Sequence, residues 1–293
     1  MRQISRAIDL GRLDGITLAY DYSAALAEVD RGYPHAMAPT ATSTSEIVGV
    51  AMAVNVIRDE LVKAHLVFDA AFMLPLLDGN HVAFPLAISL VAHECGHVAD
   101  LKIRDEAFPG TILQRSYSGF YERLLSPPAE VLWEEYAACR ASAVFGEGET
   151  PRYEESLVNV LGGARDRANA AIRDYRCHGD IKRVLSEAGN QLCEPLRMIA
   201  YLIGHLDGLD QGLNQVPIAR DALANSDYRP LADRLTVTLR DLWSRRGKWL
   251  SLDEFEPLIR ICRDAFAMNG VDLKPNPDGT CHVDIPLTLA TTP

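Results

Sequence analysis

The stretch Leu90–Asp100, LVAHECGHVAD, sets two imidazoles and a carboxylate inside a run that is otherwise apolar. Buried polar groups cost free energy unless something satisfies them, so these histidines need a partner. On an α-helix successive residues lie about 100° apart, which puts His93 and His97 within about 40° of each other, one turn apart on one face. Two imidazoles so placed can reach one ion. Glu94 sits about 100° round from His93, close enough to address a water on that ion without ligating it. Cys95, about 200° round, faces away and reads as a small buried hydrophobe. Gly96 costs the helix about 1 kcal/mol relative to alanine, and close approach of another backbone is the usual reason for such a residue.

A catalytic zinc usually takes three protein ligands and keeps a fourth position open. The best source of a third is the segment VLWEEYAACRASA, residues 131–143. Its apolar face carries Leu132, Tyr136, Cys139 and Ala143 at helical spacing. Glu135 falls about 60° from Leu132, at the edge of that face, where a carboxylate is costly without a cation beside it. Glu134, about 200° round, points to solvent and is the reserve ligand.

AHECGHVAD followed by EEYAACRAS resembles the zincin metallopeptidases of the Glu-zincin type, in which a later helix supplies a glutamate in an E-x-x-A setting. Glu135-Tyr136-Ala137-Ala138 matches that pattern, and the ImmA/IrrE-like group is the nearest. The resemblance covers residues 70–146; Cys139 stands where an acidic or amide residue is usual. It implies a Zn²⁺ peptidase acting on a peptide or protein substrate. His93, His97 and Glu135 are then the metal ligands and Glu94 the general base. The rival reading is a non-catalytic metal-binding regulator that docks a protein partner. Glu94 argues against it, because a structural site has no need of a base beside its ligands.

Three further positions are candidates for steadying an oxyanion: His205, unexpected in the apolar run MIAYLIGHLDG, and Tyr136 and Arg140 beside Glu135. Asp100, one turn after His97, can orient a ligand imidazole or stand as a solvated carboxylate. The basic cluster Arg240–Lys248 carries tryptophans nearby, but its leucine stripe (Leu231, Leu235, Leu239, Leu242) marks a packed helix. A net charge of −11 argues against a grip on nucleic acid or an anionic membrane. The start of the chain has no continuous apolar stretch, and the six cysteines show no CxxC spacing. A cytoplasmic protein with reduced thiols is the expectation.

The expected fold class is α+β, mostly helical: a zincin-like core with a small sheet before the motif helix, and a helical C-terminal half. Residues 1–150 form the first domain and 151–293 a helical region packed on it, or both are one continuous domain. Strands are expected after Gly15, over Ile47–Val56 and over Lys63–Leu76, the last two as a pair across a charged turn. Residues 32–45 read as a loop. The motif helix begins between His81 and Pro85 and ends near Leu101. Thr111–Leu125 reads as helical, and Ser126-Pro127-Pro128 as the capped start of the next helix, ending at Gly146. Helices follow over Tyr153–Tyr175, Asp180–Leu206, Tyr228–Arg246 and Leu252–Met268, then a hairpin turning at Pro277-Asp278-Gly279.

Overall fold

Three strands and one long helix frame the motif. The computed structural model describes residues 1–34, 37–41 and 49–292; residues 35–36 and 42–45 of the expected loop and the first residues of the expected second strand (Ile47, Val48) lie outside the described residues. Strand β1 is Leu13–Ala19, followed by helix α1, Tyr22–Ala27; β2 is Ala51–Arg58 and β3 Leu61–Asp69. The sheet order is β1-β3-β2. β3 runs parallel to β1, with Ile16 opposite Leu66, and antiparallel to β2, with Ala53 opposite Leu66. Asp59 and Glu60 both hold positive φ (51° and 64°), as a tight two-residue hairpin turn demands. The end of the expected third strand folds instead into the short helix α2, Ala70–Met73, capped by the Asp69 carboxylate.

Helix α3, Phe84–Ala107, carries the motif. Pro85 occupies its first turn, where the missing N–H costs nothing. It runs six residues beyond Leu101 because its last turns are good helix formers stapled by i,i+4 pairs, Arg104 with Asp100 and Lys102 with Glu106. One face packs Ala87, Val91, Cys95, Val98 and Leu101 on Val62, Ala64, Leu66 and Phe68 of β3. The opposite face of the sheet is covered by α1, through Tyr22 and Leu26 against Val54, Val56 and Val67.

Helix α4, Phe120–Ser142, corrects one expectation. Ser126-Pro127-Pro128 lies in its interior, not at its start, and residues 111–119 are irregular. The start is fixed from outside: Phe120 N–H donates to the Gly279 carbonyl, and Gly119 packs on the backbone of Gly279. The two prolines deprive the Arg123 and Leu124 carbonyls of their usual helical donors, a cost of about 3 kcal/mol or more per interior proline that packing must offset.

Four long helices and a short one complete the helical half: α5 (Thr150–His178), α6 (Ile181–Gly208), α7 (Pro217–Ala224), α8 (Arg229–Ser244) and α9 (Glu256–Met268). The β4–β5 hairpin (Asp272–Pro275, Cys281–Asp284) follows, as its turn residues predict. The fold is therefore mostly helical α+β. Helix α7 escaped the sequence reading, although Pro217 stands at its first position. The largest group of buried residues runs from Phe108 to Leu273, so α4 shares its core with α5, α6, α8 and α9. No helix among the described residues is long and apolar enough to cross a membrane.

Candidate metal centre

Close helix packing brings the motif to its partner. A Cβ on Gly96 would stand 2.7 Å from the Ala138 carbonyl oxygen, so α3 and α4 touch backbone to backbone, as the glycine implied. On the other side of α4, Gly204 of α6 approaches the Tyr136 carbonyl just as closely. This wedge fixes α4 so that Glu135 meets both histidines.

The Nε2 atoms of His93 and His97 lie 3.1 Å apart, and Glu135 Oε2 is 3.3 Å from the first and 3.4 Å from the second. A tetrahedral ion with bonds of about 2.0–2.1 Å has donor–donor edges of about 3.3 Å. The triangle fits that requirement. Glu135 Oε2 is buried and makes no hydrogen bond within the protein, a carboxylate oxygen that a cation would satisfy. His93, His97 and Glu135 can together hold a metal ion.

Electrostatics agree with the geometry. Burial alone would raise the Glu135 carboxyl, but the two imidazoles outweigh it and hold it well below the usual carboxylate range. Burial would likewise lower His97, yet Glu135 lifts it to about 9. The site calls for a positive charge at its centre.

Glu94 is 6% exposed and not part of the triangle. Burial pushes its carboxyl up, and the neighbouring imidazoles and the Ala53 N–H only partly oppose that. Cys95 is fully buried against the sheet, its thiol pushed up to about 12 by burial, so the helical wheel placed it correctly. The second nitrogen of His93, Nδ1, lies 3.6 Å from Cys139 Sγ, which in turn lies 3.8 Å from the Tyr153 hydroxyl. A thiol thus occupies the place where ligand histidines usually meet a carboxylate or carbonyl.

The triangle opens into a cleft of about 390 Å³ between the edge strand β2 and helices α3 to α6. Two polar residues from α6 enter it, Tyr201 and Arg197. The Tyr201 ring stacks on His93 at 5.5 Å between centroids. Its hydroxyl is held well above its ordinary pKa, by burial and then by Glu135, and so stays protonated. Sequence reasoning missed both. Their signal was the stripe Arg197, Tyr201, His205, three residues four apart in the otherwise apolar run Pro195–Leu206.

The oxyanion candidates from sequence fall elsewhere. The Tyr136 hydroxyl donates to Asp207 at 2.8 Å, and Arg140 pairs with the same carboxylate. His205 is buried, with Nε2 2.9 Å from Thr150 Oγ1 and its ring against Tyr153. None of the three lines the cleft. Asp100 orients no imidazole and is not solvated. It is 1% exposed and accepts from Arg104, Trp133 and Arg246. Glu134 does not point to open solvent either; Arg104 pairs with it at the cleft wall. In the basic cluster Arg240, Arg245 and Arg246 each pair with a carboxylate.

No family model matches the chain, and no curated protein or solved structure matches it either.

Proposed function

We propose that the chain is a zinc-dependent peptidase of the HExxH Glu-zincin type. The observation that carries this reading is the triangle of His93, His97 and Glu135 with a buried carboxylate, Glu94, on the neighbouring helical position. Two imidazoles and one carboxylate are a donor set suited to zinc. Bound there, zinc would supply Lewis acidity and lower the pKa of a water. Glu94 is the base that would take a proton from water and hand it to the leaving amine, a role its raised pKa suits. Tyr201, protonated and stacked on His93, is the donor placed to steady the developing oxyanion.

Peptide as substrate is supported by the cleft wall. Asn55 C=O accepts from Arg31 Nε and Ile57 N–H donates to Arg31 C=O, so the odd residues of β2 turn their backbone groups outward. Ala51 therefore offers a backbone donor and acceptor along the cleft and Ala53 an acceptor, its N–H being turned to Glu94, and an extended peptide can add there as a strand. A reducing, cytoplasmic setting belongs to the reading, supported by six free thiols, one of them beside His93.

The test compares wild type with Glu94→Gln for bound zinc and for cleavage of a broad peptide panel. Stoichiometric zinc in both, with cleavage by wild type alone, is the expected result. Zinc in both with no cleavage by either overturns the peptidase reading.

A further inference from the structure

Cys139 stands one turn after Glu135 on α4, so the two share a helix face. By spacing it belongs to the apolar stripe, and its side chain is fully buried. Its contacts are those of a hydrogen-bonding group. Sγ lies 3.6 Å from His93 Nδ1 and 3.8 Å from the Tyr153 hydroxyl of α5, within the reach of sulfur hydrogen bonds. Packing holds it there: Gly204 of α6 comes so close that a Cβ on it would stand 3.1 Å from the Cys139 Cβ. From the same helix Tyr201 stacks on the His93 ring, the two planes 16° apart. The stack sets the plane of the imidazole, and the thiol meets the ring nitrogen that is not turned to Glu135.

The direction of these bonds follows from the ring. His93 Nε2 faces His97 and Glu135, at 3.1 Å and 3.3 Å. To ligate an ion Nε2 must present its lone pair, and a neutral imidazole then carries its one proton on Nδ1. Nδ1–H must donate, so the sulfur accepts. The thiol hydrogen is thereby directed to its other neighbour, the Tyr153 oxygen. Without an ion the imidazole proton can sit on Nε2 and donate to Glu135, and Nδ1 becomes an acceptor for the thiol instead. A carboxylate or a carbonyl at this place would serve the first tautomer alone. A thiol serves both, because it carries a donor and an acceptor.

We propose that Cys139 is a positioning residue for the metal centre, an inference that rests on the zinc site of the reading above and not on peptide as its substrate. Cys139 accepts from His93 Nδ1–H while Nε2 holds the ion, and turns its hydrogen to Nδ1 when the site is free. Tyr153 takes the thiol hydrogen in the first state.

Three full-length variants test this, with zinc affinity read by competition against a chromophoric chelator. Alanine and serine are nearly equal in volume, so Cys139→Ala and Cys139→Ser empty the same space, but only serine keeps a donor and an acceptor. Cys139→Ala should weaken zinc binding by about tenfold, the lower end of the range for residues that hold a ligand histidine. Cys139→Ser should stay within about threefold of wild type, since one neutral hydrogen bond replaces another. With Co²⁺ in place of zinc, the visible absorption should shift in Cys139→Ala and stay near wild type in Cys139→Ser. Tyr153→Phe strands the thiol hydrogen only when the ion is bound, because in the free protein that hydrogen turns to Nδ1. It should weaken zinc binding by about three- to fivefold, the value of one weak neutral hydrogen bond. This variant leaves α4 untouched and decides the matter if the cysteine variants fail to fold. Equal zinc affinity in Cys139→Ala and Cys139→Ser, or unchanged affinity in Tyr153→Phe, overturns the role of the thiol and leaves Cys139 a packing residue. Wild type that binds no zinc overturns the metal centre and this role with it. Zinc affinities graded as above, with no peptide cleaved, support the role of Cys139 and overturn the peptidase reading alone.

Discussion

Gly96 and Ala138 touch through their backbones: a Cβ at position 96 would stand 2.8 Å from the Ala138 Cα as well as 2.7 Å from its carbonyl oxygen. Neither helix can yield without moving a member of the His93–His97–Glu135 triangle, since His97 follows Gly96 directly and Glu135 stands one turn before Ala138. Gly96→Ala should cost about 1–3 kcal/mol of stability, the usual penalty of overpacking. It should also weaken zinc binding by about tenfold, as changes behind metal ligands do. Cys95→Ala, made on the sheet side of the same helix, is the comparison. It should lose about 1 kcal/mol and keep its zinc affinity. Urea unfolding and a competitive zinc chelator read the two effects separately, and equal zinc affinity in both variants would sink the wedge argument.

Metal should stabilise the fold by mass action. At free zinc a hundredfold above its dissociation constant the gain is about 2.7 kcal/mol. For a chain of this size that raises the thermal midpoint by about 4–5 °C. Chelation should reverse the shift in wild type, and His93→Ala should show no shift at all. Glu94→Gln should retain it, because Glu94 stands outside the triangle. A zinc-dependent shift that survives His93→Ala would place the ion elsewhere.

Asp100 and Arg246 meet at 3.3 Å in the interior, where Asp100 also accepts from Arg104 Nε at 2.9 Å and Trp133 Nε1 at 3.2 Å. Removing the carboxylate leaves two guanidinium groups and an indole N–H short of a partner. Asp100→Ala should therefore cost about 3–5 kcal/mol, the price of stranding buried charge. Zinc bound per folded molecule should stay at wild-type level, since no imidazole depends on Asp100. Loss of zinc affinity with intact stability would restore the histidine-orienting role that its spacing first suggested.

The candidate triangle was legible in the sequence because the two helix faces that build it are local patterns. A helical wheel places His93, Glu94, Cys95 and His97 correctly, and the burial cost of a carboxylate singles out Glu135. What escaped depends on contacts between distant segments. Tyr201 enters the cleft because α6 crosses α4 at Gly204; that glycine marks a close approach in the sequence but does not say which helix it meets. Ser126-Pro127-Pro128 has the letters of a helix start, but Gly279, far along the chain, supplies the carbonyl that starts the helix at Phe120. Asp100 lies on the ligand side of α3 by angle, yet Trp133 of α4 and Arg246 from the turn after α8 claim it. Local periodicity fixes faces; it does not say which neighbour each face will meet.

His205 supplies the pH dependence. It is buried beside Thr150 and Tyr153, and burial lowers its pKa from 6.5 to about 4. A folded pKa below the unfolded one means that protons favour the unfolded chain. The contribution is complete above pH 6.5, falls as pH drops towards 4, and changes no further below that. Its size is on the order of 2 kcal/mol, allowing for partial solvent screening. His205→Gln keeps a polar group facing Thr150 but cannot titrate in this range. The difference in unfolding free energy between wild type and variant, followed from pH 7 to 4, should therefore change by that amount in the direction of the variant. A constant difference across the range would mean that His205 is not the titrating group.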